Sequence, residues 1–394
     1  MTGQAQDAPL LIIAGETSGD QHGAAMIRVL REDFPDLSIF GVGGEHMRAA
    51  GVETLFDIEA LNVVGLVEVL AKVPSGLLMA RRLLRAARER GVRVAVLIDA
   101  PGFNLPLARW AKQAGLRVVY YVSPQIWAWR QNRVHKVARR VDKMLTLFPF
   151  EVPFYAAAGV EAEYVGHPLL DCLPGLPDRS QAARTLGLDD KRPIVALLPG
   201  SRRREVEFLL EPMLAALTLI RQDLPEVQSV LPVAPTVSDT VQRVMSGFSG
   251  ALTVVDQQSL TALCAADFAL VASGTATLEA GLIGTPMVIA YRVNRLTAWL
   301  ARRLLRVPHI GLINIVAGRQ VVPELLREAV SPRALAAMAL SVLQDPAEAR
   351  RIRGELTALR AMMGEGSSSR RAAASIGAVL RQARDPYADV RMAR

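Results

Sequence analysis

Leu10-Leu11-Ile12-Ile13-Ala14 runs through Gly15-Glu16-Thr17-Ser18-Gly19-Asp20 into a helical stretch over 21–31. An unbroken apolar run that stops at a glycine-bearing turn reads as a strand buried on both faces, because a half-exposed strand alternates apolar with polar residues. The same unit recurs outward from there. Residues 38–42 make a second strand, ended by Gly43-Gly44. Residues 93–98 make a third, followed by Asp99-Ala100-Pro101 and a helix over 106–114, and 118–122 a fourth, stopping at Ser123-Pro124. The stretch 166–180, GHPLLDCLPGLPDRS, holds three prolines and two glycines and interrupts the pattern. It restarts with strands at 194–198, 227–232, 252–255, 268–272 and 287–290 and a helix over 205–221. Strands alternating with helices argue for parallel sheets covered on both faces. The expected class is therefore α/β, with two Rossmann-like, doubly wound domains over 1–170 and 186–365 and a linker over 171–185. A helix within 366–394, after Ser367-Ser368-Ser369, is expected to pack back on the first half. Two such domains predict a central cleft, with binding loops at the carboxyl ends of the strands.

Bulk numbers narrow the class. A chain of 394 residues suits two domains, and 51% hydrophobic against 21% charged residues excludes global disorder. The formal charge is +8 and mostly arginine. Guanidinium pairs bidentately with phosphate, so phosphate-bearing or anionic-membrane partners fit, and so does a plain bias of composition. Cys172 and Cys264 form no CxxC and read as reduced thiols of a cytoplasmic protein. MTGQAQDAP lacks a basic signal-peptide start. The apolar stretch 265–291 is broken by Gly274, Gly281, Gly284 and Pro286 and carries Asp267 and Glu279, which reads as strand, loop, helix and strand. The chain is expected to be soluble, or to sit on a membrane without crossing it.

Four loops carry candidate chemistry. Gly15 to Asp20 stands where a Rossmann phosphate loop would stand, but its acidic side chains repel a pyrophosphate. It faces neutral hydroxyls or acts as acid or base; a plain turn capped by Asp20 fits the same residues. Ser273-Gly274-Thr275-Ala276-Thr277-Leu278-Glu279 follows a strand and opens a helix, so backbone N–H groups and the helix dipole favour a phosphate, with Glu279 placed for a ribose diol. Ordinary Ser/Thr capping is the alternative. Arg202, in Pro199-Gly200-Ser201-Arg202, is placed to neutralise a diphosphate, while Arg203 and Arg204 read as solvated. Asp99 ends the apolar run VAVLI; partial burial there raises a carboxyl toward the range of a general base, and helix capping is the alternative.

Two stretches mix apolar with other character. Val63, Val64, Leu66, Val67, Val69, Leu70, Leu77, Leu78 and Met79 stand among Lys72, Arg81, Arg82, Arg85 and Arg88. That suits an interfacial helix or an acyl-chain groove, or else core packing. Ser123-Pro124-Gln125-Ile126-Trp127-Ala128-Trp129-Arg130 lines an acceptor site or packs beneath one. The five histidines are scattered, so no metal site and no cofactor is expected. There is no GxxxxGK[ST], and no DxD near a strand end to hold a nucleotide through a metal. The basic clusters at 130–140 and 292–306 carry no nucleic-acid motif, and no nucleic-acid partner is expected.

Taken in order, AGETSGD (14–20), VVGLVEVL (63–70), IDAP-FN (98–104), YYVSPQIWAWR (120–130), VGHPL (165–169), LLPGSR (197–202), ASGTATLE (272–279) and NIVAGR (314–319) resemble the lipid-A-disaccharide synthase (LpxB) family of inverting glycosyltransferases. AGETSGD and SP-IWAWR are specific; PGSR and SGTA are shared with other GT-B enzymes. The resemblance implies a GT-B fold, with the acceptor on the N-terminal domain and the UDP-sugar on the C-terminal one. It implies that UDP-2,3-diacylglucosamine is joined to 2,3-diacylglucosamine 1-phosphate through a β-1,6 bond, releasing UDP, in a metal-independent transfer. Carried onto matching positions, it makes Asp99 the general base. Arg202 becomes the diphosphate ligand, Ser273, Gly274, Thr275, Ala276 and Thr277 the phosphate cradle, and Glu279 the ribose ligand. Glu16, Ser18 and Asn314 are implied to line the cleft. Val64, Leu66, Val67, Val69 and Leu70 are expected to touch acyl chains or an anionic membrane, placing the enzyme in the cytoplasm at the inner membrane. Gly102 stands where a second Asp is expected, and Ile313 where a Pro is. Another GT-B enzyme of UDP-sugars (a 2-epimerase or an N-acetylglucosaminyl transferase) and a non-enzymatic binder of acylated sugar or RNA are the alternative readings.

Overall fold

Four uninterrupted apolar runs become inner strands. Leu10–Ala14 (β1), Val94–Ile98 (β4), Ile194–Leu198 (β8) and Phe268–Ala272 (β11) are buried at all five positions, the environment that a parallel sheet covered on both faces provides. The computed structural model describes residues 8–61, 66–129, 131–292 and 308–384. It divides into two units, one comprising 1–168 with 366–394 and the other 169–365.

Unit 1 carries a seven-stranded parallel sheet. With β2 (Ile39–Gly43), β3 (Glu53–Asp57), β5 (Arg117–Tyr121), β6 (Lys143–Thr146) and β7 (Glu161–Tyr164), its order is β3-β2-β1-β4-β5-β6-β7. The order reverses between β1 and β4, which makes that boundary the topological switch point. The helices Thr17–Asp33 (α1), Glu45–Ala49 (α2), Leu66–Glu89 (α3) and Pro101–Gln113 (α4) belong to this unit. Unit 2 adds β9 (Gln228–Val233), β10 (Thr253–Asp256), β12 (Met287–Tyr291) and β13 (Glu324–Leu326) in the parallel order β10-β9-β8-β11-β12-β13, with its switch point between β8 and β11. Its principal helices here are Arg203–Asp223 (α5) and Thr275–Ile283 (α6).

The tail helix Ser368–Arg384 (α7) lies against α1. Ala372, Ala373, Ile376, Val379 and Leu380 are buried. Ser375 Oγ donates to Glu163 at 2.7 Å and Arg371 Nε to the Val165 carbonyl at 2.8 Å, so the helix is tied to β7 as well.

Three expectations need correction. Residues 171–185, read as a linker, are largely helical: Leu169–Cys172 and Arg179–Thr185 are helices. Asp178 caps the second at Gln181 N (2.8 Å), and Arg179 holds Asp267 at 2.7 Å. Second, α4 starts at Pro101 and not near 106, because a proline suits the first helical position, where its missing N–H costs nothing. Third, α1 starts at Thr17 and not at 21.

Candidate active site

In unit 1 the loops after β1 and β4 meet at the switch point. Glu16 and Ser18 are exposed at the start of α1, with Glu16 in the N-cap position and its carboxylate spent on no cap. Asp20 behaves differently from either reading of its loop. It is 1% exposed and accepts from the N–H groups of Gly44 (2.7 Å), His46 (3.0 Å) and Met47 (3.1 Å), so it caps α2 and not its own helix. The chemistry of this loop therefore falls on Glu16.

Asp99 sits one residue beyond β4. Burial raises its carboxyl to about 6, the charge of Glu16 adds to that rise, and the Ala100 N–H pulls it partly back. Its backbone is unusual. Asp99 and Ala100 have φ of 49° and 44°, a left-handed pair without glycine, and each such residue costs about 1–3 kcal/mol unless its surroundings hold it. Ala100 is the N-cap of α4, and its methyl lies over Gly15: a Cβ built on Gly15 would stand 2.0 Å from the Ala100 Cβ. Only glycine lets the two loops approach this closely. Gly102 has nothing within 4 Å of an added Cβ, so the place of the absent second Asp is open.

Next along the sheet edge is a buried carboxyl the sequence reading missed. Glu151 is 1% exposed and accepts from Ser123 Oγ, Trp127 Nε1 (2.9 Å) and Phe148 N (3.1 Å). Burial raises it to about 7 against the pull of these donors. Trp127 is 5% exposed and packs edge-on against Phe150 at 5.0 Å, so it belongs to the packing of its loop. Glu151 lies 28 residues from Ser123, and nothing local in the sequence signals the pairing.

In unit 2 the loops after β8 and β11 also meet at a switch point, around a cavity of about 400 Å³. Gly200, Arg202, Glu205, Gln257, Gly274, Thr275 and Glu279 are among its lining residues. No side chain caps α6 at Gly274; the Thr277 N–H donates to the Gly274 carbonyl at 3.1 Å, and the two N–H groups before it, of Thr275 and Ala276, are the ones that a helix start leaves without an intrahelical acceptor. The five expected cradle residues differ in role. Ser273 Oγ donates to the Ile310 carbonyl (3.1 Å), and Thr277 Oγ1 bridges Gly274 O (2.8 Å) and Leu312 N (3.1 Å), so these two brace the loop. Of the five, Ser273, Gly274, Thr275 and Ala276 line the cavity, and the fully buried Thr277 does not. Glu279 lines it too, and burial raises its carboxyl.

Arg202 has an 83% exposed side chain, ion-paired to Glu205 at 3.1 Å. Glu205 also accepts from Ser201 N (3.2 Å) and Arg202 N (3.3 Å), and a Cβ on Gly200 (φ 111°) would stand 2.4 Å from its Oε2. Glu205 thus occupies the anion position of this loop. The signal that marks it is a Glu at the third helical position, from which its carboxylate reaches back to the N-cap N–H of Arg202.

Asn314 is corrected: it has zero exposure and lines nothing. Its Nδ2 donates to Val322 O and Glu324 Oε1, both at 2.8 Å, and its Oδ1 accepts from Val321 N (2.8 Å) and Val322 N (3.1 Å). The amide ties the helix Leu312–Ala317 to the approach of β13. Ile313 is buried against Gly281.

Val64 lies outside the described residues, as do the side chains of Leu66, Val67, Val69 and Leu70 at the start of α3. Further along α3, Leu77 and Leu78 are 39% and 51% exposed while Met79 is buried. Among the described residues no helix is long and apolar enough to cross a membrane, and no three His, Cys, Asp or Glu side chains group to hold a metal ion.

Residues 10–376 match the family model described as lipid-A-disaccharide synthetase, LpxB. The lipid-A-disaccharide synthase of Trichlorobacter lovleyi is 45% identical over 95% of this chain and 98% of its own. That of Myxococcus xanthus is 43% identical over 93% and 96%. Among solved structures, the Neisseria meningitidis UDP-GlcNAc 2-epimerase bound to UDP-GlcNAc superposes with a TM-score of 0.64 at 11% identity, over 93% of this chain and 99% of that one. A calicheamicin glycosyltransferase gives 0.58 at 16% identity, over 96% and 99%. The structures share the fold alone; the sequence match runs from β1 into α7. The chain therefore belongs to the lipid-A-disaccharide synthase family, glycosyltransferases of lipid A biosynthesis on the GT-B fold.

Proposed function

We propose that the chain joins UDP-2,3-diacylglucosamine to 2,3-diacylglucosamine 1-phosphate through a β-1,6 bond, with inversion, using Asp99 as general base. The acceptor 6-hydroxyl oxygen attacks the anomeric carbon, its proton passes to Asp99, and the bond to the diphosphate breaks to release UDP. Unit 1 supplies the base and the acceptor contacts of Glu16 and Ser18. Unit 2 holds the nucleotide, with Gly274, Thr275 and Ala276 around the phosphates and Glu279 at the ribose. Arg202 exchanges Glu205 for the diphosphate and, with the N-terminus of α6, offsets the charge that develops on leaving. The helix α3 rests on the anionic inner membrane, where acylated substrates reside.

The observation that carries this reading is Asp99: a carboxyl raised to about 6, at a switch point, on a turn held in a costly conformation. The test is UDP release from the donor, with and without acceptor, in EDTA. Acceptor-dependent release that persists in EDTA, and falls about 10²–10⁴-fold in Asp99→Asn, is the expected result. Undiminished turnover in Asp99→Asn removes the base. Loss of release in EDTA, restored by a divalent ion, removes the assignment of the leaving charge to Arg202 and α6.

A further inference from the structure

We propose that Tyr120 and Asn104 are positioning residues for Asp99: together they clamp its main-chain carbonyl and hold the left-handed turn that presents its carboxylate beside Glu16. The proposal rests on the reading of Asp99 as the base. Three hydrogen bonds fix this one residue's peptide groups. Its N–H donates to the Tyr121 carbonyl at 3.0 Å, continuing the β4–β5 ladder. Its carbonyl accepts from Tyr120 Oη at 2.6 Å and from Asn104 Nδ2 at 2.9 Å, and the same Nδ2 reaches the Ile98 carbonyl at 3.0 Å.

Neither residue can touch a substrate, since both have zero exposure. Both polar groups lie in the buried interior. A phenylalanine fills the place of the Tyr120 ring, and the hydroxyl adds only the bond to Asp99. Asn104 Oδ1 is buried and meets no donor among the described residues, so this amide serves through its NH₂ alone. The opposite amide orientation would set an oxygen against two carbonyl oxygens. Burial holds the Tyr120 hydroxyl protonated, with the Asp99 charge adding to that effect, so it remains a donor throughout the working range.

The clamp opposes a backbone preference. Asp99 and Ala100 both take left-handed conformations that side chains other than glycine's disfavour. Released, the turn would relax toward ordinary backbone and carry the carboxylate from Glu16. A shift of about 1 Å at such a group is enough to cost on the order of 10²-fold in rate.

The experiment measures kcat, KM for both substrates and the pH profile of Tyr120→Phe and Asn104→Ala, alone and with Ala100→Gly, with melting curves to confirm folding. The expected result for each single variant is a kcat lower by about 10–100-fold with KM within about threefold. The acid limb should also move to lower pH as the carboxyl leaves Glu16. Adding Ala100→Gly should restore about fivefold, because glycine adopts the left-handed conformation freely. Wild-type kcat in both single variants overturns the clamp, and so does a loss that Ala100→Gly deepens. Should Tyr120→Phe not fold, Asn104→Ala with and without Ala100→Gly decides the matter by the same readings. Asp99→Asn run alongside separates the two claims. If it is inactive while Tyr120→Phe and Asn104→Ala are normal, the clamp alone falls; if it turns over normally, base and clamp fall together.

Discussion

As the proposed base, Asp99 would tie stability and activity to pH in opposite senses. Its carboxyl is raised from 3.8 to about 6 in the folded chain. Between those values the folded state holds the proton more tightly than the unfolded one, so stability falls as pH rises through this window. A working base must be ionised, so turnover rises over the same range. Asp99→Asn should therefore melt no lower than the wild type at pH 8, and the difference between them should shrink toward pH 4; a clearly lower melting temperature at pH 8 would contradict this. Legibility at this scale follows sequence distance. Asp99 could be read because a carboxylate ends an apolar run. Glu151 could not, because its donors Ser123 and Trp127 arrive from another loop. Asn314 misled because an amide near a matching motif reads as ligand-facing until its partners in the 321–324 segment are known.

Among elements, most strands that could be read are buried on both faces; the half-exposed edge strand β10 was read from its Val254-Val255 pair, and the short β6, opened by Lys143, was not read. The edge strands β3, β7 and β13 are half-exposed and mixed in polarity, so their sequences look like loop. Helix α3 was ambiguous for a related reason: an apolar stripe among arginines fits a core or an interface equally, and only exposure distinguishes them. Met79 turned inward; Leu77 and Leu78 did not. Arg81, Arg82 and Arg85 are exposed on the same helix, an arrangement that suits an anionic surface. Replacing both leucines by serine should weaken cosedimentation with anionic vesicles by about tenfold or more, from the apolar area withdrawn, and salt should weaken what remains. Unchanged binding would assign the two side chains no part in membrane contact.

For the molecule as a whole, α/β class and parallel sheets followed from periodicity, because continuous apolar runs admit few other architectures. The secondary structure of 171–185 did not follow. Proline and glycine around 166–180 suggested a linker, yet Asp178 and Arg179 build a helix there. The tail belongs to unit 1. Ile376 on α7 has zero exposure and lies wholly within unit 1. Ile376→Ala should lower the stability of unit 1 by about 2–5 kcal/mol. UDP affinity, assigned to unit 2, should stay within about twofold of wild type by calorimetric titration; a parallel loss of UDP binding would show that the units do not fold independently.

The return of the chain to its first sheet has a temporal side. Segment 169–365 is complete as a contact unit before α7 has been synthesised, whereas the sheet begun at Leu10 lacks its covering helix until residues 368–384 leave the ribosome. Translation proceeds from the N-terminus, and exposed apolar surface on a waiting intermediate invites aggregation. The half begun first is thus the half finished last. A nascent chain interrupted between residue 365 and α7 holds a complete unit 2 and an unfinished unit 1.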